Sequence, residues 1–259
     1  MPLADRFDGF LVDLDGVVWI GREPVSGSAE ALRELQDAGK RLVFVTNNPG
    51  RHPASYAERL SGLGVEVGPE RVVTAGVVAA RLAAEAAGGG GAFVIGGAPL
   101  KEMVAAAGAR LLPGEEAEAA DVVVVSGHRG FDYGELLSAK RALDRGARLL
   151  ATSRDATMPM PGGEWPGTGA VLAAVETATG CTAEIAGKPE RHLFEMAVER
   201  AGGGELAMVG DRVSSDVAGG RRAGLETVLV LSGTTGRAEA EAADPAPDHL
   251  IEDLAGLLR

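Results

Sequence analysis

Cysteine is almost missing from this chain: Cys181 stands alone among 259 residues. That excludes an internal disulfide and suits a reducing cytosol. No His-rich setting surrounds the thiol, so it reads as a partly buried side chain and not as a nucleophile. Aromatic residues are scarce, at 4%, so the core must be aliphatic. Basic charge is in deficit, with 25 Lys and Arg against 37 Asp and Glu and a net charge of −12. Nucleic-acid binders carry a basic face, so that class is set aside. Long apolar runs are missing too. Stretches such as "VVVV" at 122–125 fall far short of the ~20 residues that span a bilayer. The opening "MPLADRFDG" has no basic stretch followed by an apolar one, so no signal peptide is expected. The chain reads as soluble and cytoplasmic, with no nucleic-acid or membrane partner.

The composition otherwise has the balance of a globular protein, 46% hydrophobic and 24% charged, with enough length for a sizeable core. Short apolar runs at 10–13, 42–46, 92–95, 122–125, 148–151, 206–209 and 228–231 alternate with helix-period segments at 28–38, 53–61, 76–87, 99–107, 133–144, 168–178, 190–201, 215–222 and 252–258. Strands that are apolar on successive residues, separated by helices, predict an α/β protein with a parallel sheet covered on both faces. Gly39, Gly64, Gly146, Gly180 and Gly224 fall where helices should stop. "GGGG" at 88–91 reads as a surface connector, because no Lys followed by Ser or Thr completes a phosphate loop. "MPMPGGEWPGTG" (158–169) and "TTGRAEAEAADPAPD" (234–248) read as long loops, the second solvated and with a helical turn.

Ligands of open parallel sheets bind beyond the carboxyl ends of the strands. The residues just past each strand therefore sample the site. "DLDG" carries Asp13 and Asp15, "TNN" carries Thr46, Asn47 and Asn48, "GKPE" carries Lys188, and "GDRVSSD" carries Asp211 and Asp216. Each alone is an ordinary turn or helix start, with Asp211 or Ser214 able to cap. Together, in this order, they assemble carboxylates, hydroxyl, amide and ammonium at one end of one sheet.

The ordered set DxDG, T-N, a Lys before Pro, and GDxxxxD resembles the haloacid dehalogenase superfamily of phosphohydrolases. The stretches "DLDGVVWIGREPVSGSAEALRELQDAGKRLVFVTNN" and "ATSRDATMPMPGGEWPGTGAVLAAVETATG" are similar to its NagD-like, para-nitrophenyl phosphatase branch. The resemblance implies a Rossmann-like core at 1–78 and 183–259 with an inserted α/β cap at 79–182. It implies Mg²⁺-dependent hydrolysis of small organic phosphate monoesters (sugar, glycerol, glycolate or nucleotide phosphates) through an aspartyl-phosphate. Asp13 is then the nucleophile and Asp15 the general acid/base. Asp15 must be able to hold a proton, which a neighbouring carboxylate and partial burial both favour. Thr46 and Asn47 hold phosphoryl oxygens, and Lys188 neutralises charge. The expected Mg²⁺ ligands are the Asp13 carboxylate, the Asp15 backbone carbonyl and Asp211, with Asp216 either a ligand through water or the partner that orients Lys188. In the cap, His128, Arg129, Ser153 and Asp155 are the candidates for choosing a small phosphorylated metabolite, and family caps of this kind often pair in homodimers. Relatives commonly carry Asp where His128 stands and Asn where Ser153 stands. Two other readings use the same residues: a phosphotransferase or mutase sharing the aspartyl-phosphate, and a catalytically silent phosphate-ligand binder.

Overall fold

The run Gly9–Asp13 is buried at every residue, which a strand flanked on both edges and covered on both faces requires. In the computed structural model, which describes residues 1–160 and 163–259, this strand lies between two parallel neighbours. Val12 pairs with Val209 of the strand Leu206–Gly210 on one side, and Asp13 pairs with Val45 of Arg41–Thr46 on the other. The full sheet has six strands, in the order His249–Ile251, Glu226–Val230, Leu206–Gly210, Gly9–Asp13, Arg41–Thr46, Val72–Thr74. The outermost two, at 72–74 and 249–251, are three-residue strands that apolar-run reading passes over.

The sheet belongs to a first compact unit made of Met1–Thr46, Pro53–Val73 and Lys188–Arg259. Its core gathers Phe10, Val12, Leu32, Leu35, Phe44, Leu60, Val209 and Val228. Burying an aliphatic or aromatic side chain of this size stabilises by roughly 1.5–3 kcal/mol. Helix Ser28–Asp37 turns Ala31, Leu32 and Leu35 inward, and helix Arg191–Ala201 does so with Leu193, Phe194, Met196 and Ala197.

A second unit comprises Asn47–His52 and Thr74–Gly187. Its sheet has five strands, in the order Glu184–Ile185, Arg148–Ala151, Val122–Val125, Gly91–Ile95, Arg110–Leu111, each pair parallel. The helices Ala75–Ala87, Ala98–Ala106, Tyr133–Asp144 and Thr168–Thr179 belong to this unit. Phe93, Ile95, Val123, Val125, Leu143, Leu172 and Val175 form its core. The chain enters between Val73 and Thr74 because the first helix starts there: Val77 N–H donates to Thr74 Oγ1 at 3.1 Å, capping Ala75–Ala87. The boundaries read from sequence, 78/79 and 182/183, lie a few residues inside this entry and the exit after Gly187.

Several local expectations are corrected. "GGGG" is only half a connector, because Gly91 is buried and opens the strand Gly91–Ile95, where Leu112 packs against its missing side chain. The passage expected as a loop at 158–169 is largely an antiparallel hairpin, Thr157–Met160 with Gly163–Pro166; its residues 161–162 lie outside the described ones. "GDRVSSD" does not open as a side-chain-capped α-helix. A π-helical turn, Val213–Val217, comes first, and such turns recur at functional sites. The helical turn read in 234–248 is present as Arg237–Glu241. Among the described residues, no helix is long and apolar enough to cross a membrane.

Candidate active site

The central strand delivers Asp13 at its carboxyl end, and the neighbouring strand Leu206–Gly210 delivers Asp211 one residue beyond its own. The next turn, the π-helical one, brings Asp216 back toward them. All three carboxylates are buried, and one oxygen from each lies within 4.8 Å of the others. Lys188 is buried among them, with Nζ 2.7 Å from Asp13 Oδ1 and 2.6 Å from Asp216 Oδ1. Thr46, also buried, ends the strand beside Asp13.

The charges here are unequal. Three carboxylates face one ammonium, and burial raises the Asp13 carboxyl well above its usual range. The Lys188 charge pulls the other way, while Asp216 and Asp211 push it further up. Asp211 is raised by burial and then by Asp216, against the hydrogen bonds from Thr234. Burial alone would lower Lys188, but Asp13 and Asp216 outweigh it and hold the amine firmly protonated, above its ordinary value.

The Asp216 carboxylate is fully engaged. Oδ1 meets Lys188, and Oδ2 accepts from Arg212 N–H at 3.0 Å and from the Ser215 hydroxyl at 3.3 Å. Asp211 is different. Its Oδ2 accepts from Thr234 N–H at 2.7 Å, while its buried Oδ1 has no hydrogen-bond partner. A buried acceptor left unmade costs about 1–3 kcal/mol. An orphaned carboxylate oxygen beside two further buried carboxylates is what a hard divalent cation fits, so the donor set suits Mg²⁺.

Glycine makes the close approach possible. Gly16 adopts φ +88°, and a Cβ there would lie 2.3 Å from Asp211 Oδ2. Gly233 comes equally near Asp211, and Gly210 lies against Asp216. Thr234 opens the stretch that sequence reading assigns to solvent, yet it holds Asp211, and just before it Ser232 Oγ donates to Gly16 O at 2.8 Å. A signal for them exists, since these residues follow within four positions of the end of the strand Glu226–Val230.

Asp15 departs from expectation. It is exposed where partial burial is expected, and its Oδ1 accepts from the Trp19 indole N–H at 3.0 Å.

The remaining predicted residues fall in the second unit. Asn47 Nδ2 donates to Asp155 Oδ2 at 3.2 Å, which joins a predicted phosphate ligand to a predicted cap residue. Ser153 is buried, and its Oγ accepts from Asp155 N–H at 3.3 Å. His128 Nδ1 accepts from Gly130 N–H at 3.3 Å, which places the ring proton on Nε2, 2.8 Å from Glu135 Oε2. Arg129 lies over the Trp165 ring, 4.1 Å from its centroid.

Known proteins are similar to this chain in sequence and fold. Residues 10–110 match the family described as haloacid dehalogenase-like hydrolase, and residues 185–257 match one described as HAD-hydrolase-like. Chronophin from Bos taurus is 37% identical over 99% of this chain and 94% of its own length. The crystal structure of a glycerol phosphate phosphatase from Mycobacterium tuberculosis in complex with magnesium superposes with a TM-score of 0.91, at 35% identity, covering 99% of this chain and 78% of that one. The p-nitrophenyl phosphatase from Archaeoglobus fulgidus does so with a TM-score of 0.90 at 32% identity, covering 97% and 98%.

Proposed function

The chain belongs to the haloacid dehalogenase-like hydrolases, and from that premise we propose that its buried carboxylate–lysine cluster performs Mg²⁺-dependent hydrolysis of small organic phosphate monoesters. The observation that carries the reading is the orphaned, buried Asp211 Oδ1 among Asp13, Asp216 and Lys188. The Asp13 carboxylate, the Asp15 backbone carbonyl and Asp211 would hold the ion. Bound there, Mg²⁺ supplies positive charge that keeps Asp13 ionised and neutralises the phosphoryl group.

The chain's own groups divide the rest of the work. An Asp13 oxygen attacks phosphorus, the ester P–O bond breaks, and Asp15 gives its proton to the departing alkoxide, which leaves as the alcohol. Water then attacks the phosphorus of the aspartyl-phosphate and surrenders a proton to Asp15. The bond from phosphorus to the Asp13 oxygen breaks, inorganic phosphate leaves, and both aspartates return to their starting states. A carboxylate nucleophile thus splits one difficult displacement into two easier ones. Thr46 and the Asn47 amide hold phosphoryl oxygens, while Lys188, protonated throughout the neutral range, offsets their charge. We assign Asp216 to orienting Lys188, because both its oxygens are already engaged. Substrate choice is assigned to the second unit acting as a cap, through His128, Arg129, Ser153 and Asp155. The pairing of His128 with Glu135 and of Arg129 with Trp165 supports this, since both hold polar side chains in defined positions.

Asp13→Asn tests the reading directly. Hydrolysis of para-nitrophenyl phosphate with added Mg²⁺ disappears while the circular dichroism spectrum is retained, and a panel of metabolite phosphates on the unaltered enzyme then identifies the natural ester. Undiminished turnover by the variant overturns the assignment.

A further inference from the structure

An exposed aspartate on a turn ordinarily samples several rotamers, yet an acid/base group must be held where the proton moves. Burial does not hold Asp15, because the residue is exposed. Among the described residues its side-chain partner is Trp19, whose Nε1–H donates to Oδ1 at 3.0 Å. The tryptophan is itself well anchored. It is 1% exposed, it stacks with Tyr56 at a centroid separation of 6.4 Å and an interplanar angle of 5°, and the Arg59 guanidinium lies 3.8 Å from its ring centroid. Arg59 is tied in turn, donating from Nη2 to Gly21 O at 2.9 Å. The backbone closes the same turn: Gly16 N–H donates to Trp19 O at 2.7 Å, and Trp19 N–H to Leu14 O at 3.2 Å.

We propose that Trp19 is the positioning residue of the general acid/base, with its indole N–H fixing Asp15 through Oδ1 and leaving Oδ2 to exchange the proton with leaving group and water. The inference rests on the phosphatase reading above. A buried indole N–H seeks some acceptor, and any backbone carbonyl would serve packing. Here the acceptor is the carboxylate assigned to proton transfer. A cation over the ring face also favours the positive ring edge that carries the N–H.

The consequence is specific to the leaving group. Para-nitrophenolate departs readily as an anion and gains little from a proton, whereas phenolate is more basic and gains more. Phenyl phosphate and para-nitrophenyl phosphate share nearly one shape, so comparing them isolates proton delivery from substrate fit. Trp19→Phe keeps an aromatic body and deletes the N–H. The phenyl-to-nitrophenyl ratio of kcat/KM should fall roughly 5- to 10-fold in this variant, as proton transfer is weakened but not abolished. Both substrates are assayed in one preparation, so the ratio is independent of how much of the variant folds. An unchanged ratio overturns the proposal, whatever happens to overall activity. If Asp13→Asn is inert and the ratio is unchanged, only the role of Trp19 is lost; if Asp13→Asn turns over, the phosphatase reading itself falls.

Discussion

Asp211→Asn should stabilise the metal-free protein while destroying its response to Mg²⁺. The Asp211 carboxylate lies within 4.8 Å of those of Asp13 and Asp216. Two like charges at that separation repel by about 3.5 kcal/mol at an effective dielectric of ~20. At a pH where all three carboxylates are ionised, Lys188 offsets one of the two neighbouring anions, so Asp211 faces a net charge near −1 and bears roughly one such repulsion. Asparagine removes the charge, keeps an oxygen for Thr234 N–H, and turns a donor toward the orphaned position. Allowing for imperfect geometry at the new amide, the gain is about 2 kcal/mol, or ~4–8 °C in Tm for a chain of this size. Scanning calorimetry in chelator and again in Mg²⁺ reads both effects. Unaltered enzyme melts higher with Mg²⁺, by the mass-action term for a ligand of the folded state. The variant melts at one temperature in both conditions, above the unaltered protein in chelator. A variant less stable in chelator, or one still shifted by Mg²⁺, refutes the reasoning.

The same charges set a pH dependence for the metal-free fold. Asp13 and Asp211 are held up by burial, so the folded state binds protons before the unfolded state does. Stability therefore rises as pH falls from 8 through the raised values toward the ordinary carboxylate range of about 4. Below that, Asp248 and Glu176, lowered in the fold, lose their contributions. Melting temperature in chelator should climb between pH 8 and 5, and a flat or falling profile contradicts this assignment. Gly16→Ala adds a Cβ at φ +88° and 2.3 Å from Asp211 Oδ2, which costs ~1–2 kcal/mol in backbone alone and displaces the carboxylate proposed above to hold Mg²⁺. Its Mg²⁺ titration of activity should move to higher concentration, and an unmoved titration argues against a tight fit there.

Much of the site is legible in the sequence because its chemistry sits at strand ends. "DLDG", "GKPE" and "GDRVSSD", taken in order, locate Asp13, Lys188, Asp211 and Asp216, which the fold brings into one cluster. The boundaries of helix Pro53–Ser61 and strand Val122–Val125 are readable as well, since proline and glycine punctuate one and a pure valine run defines the other. The elements that escape lack such signals. The strand His249–Ile251 is short and only half-buried, so its pattern carries little information. The hairpin after Ala156 carries Pro159, Gly163 and Pro166, residue types that argue against a strand. The support of Asp211 by Gly233 and Thr234 spans more than twenty positions, and spacing rules do not reach that far. Trp19 escapes notice, because a hydrogen bond from its ring has no sequence signature.

The order of strands in the first sheet has a consequence for how the enzyme comes into being. Gly9–Asp13 is among the first segments made, yet one of its two partners, Leu206–Gly210, lies nearly two hundred residues later. Loop closure over that distance cannot begin until most of the polypeptide has left the ribosome. Until then the strand that carries Asp13 has an unpaired edge along a mostly apolar run, the kind that other chains can capture. The stretch Thr74–Gly187 meanwhile carries its own sheet and core and is complete before Asp211 is synthesised. The carboxylate cluster thus assembles only after the second unit has been synthesised, and a truncation short of Asp216 keeps the residues of that unit but breaks the cluster.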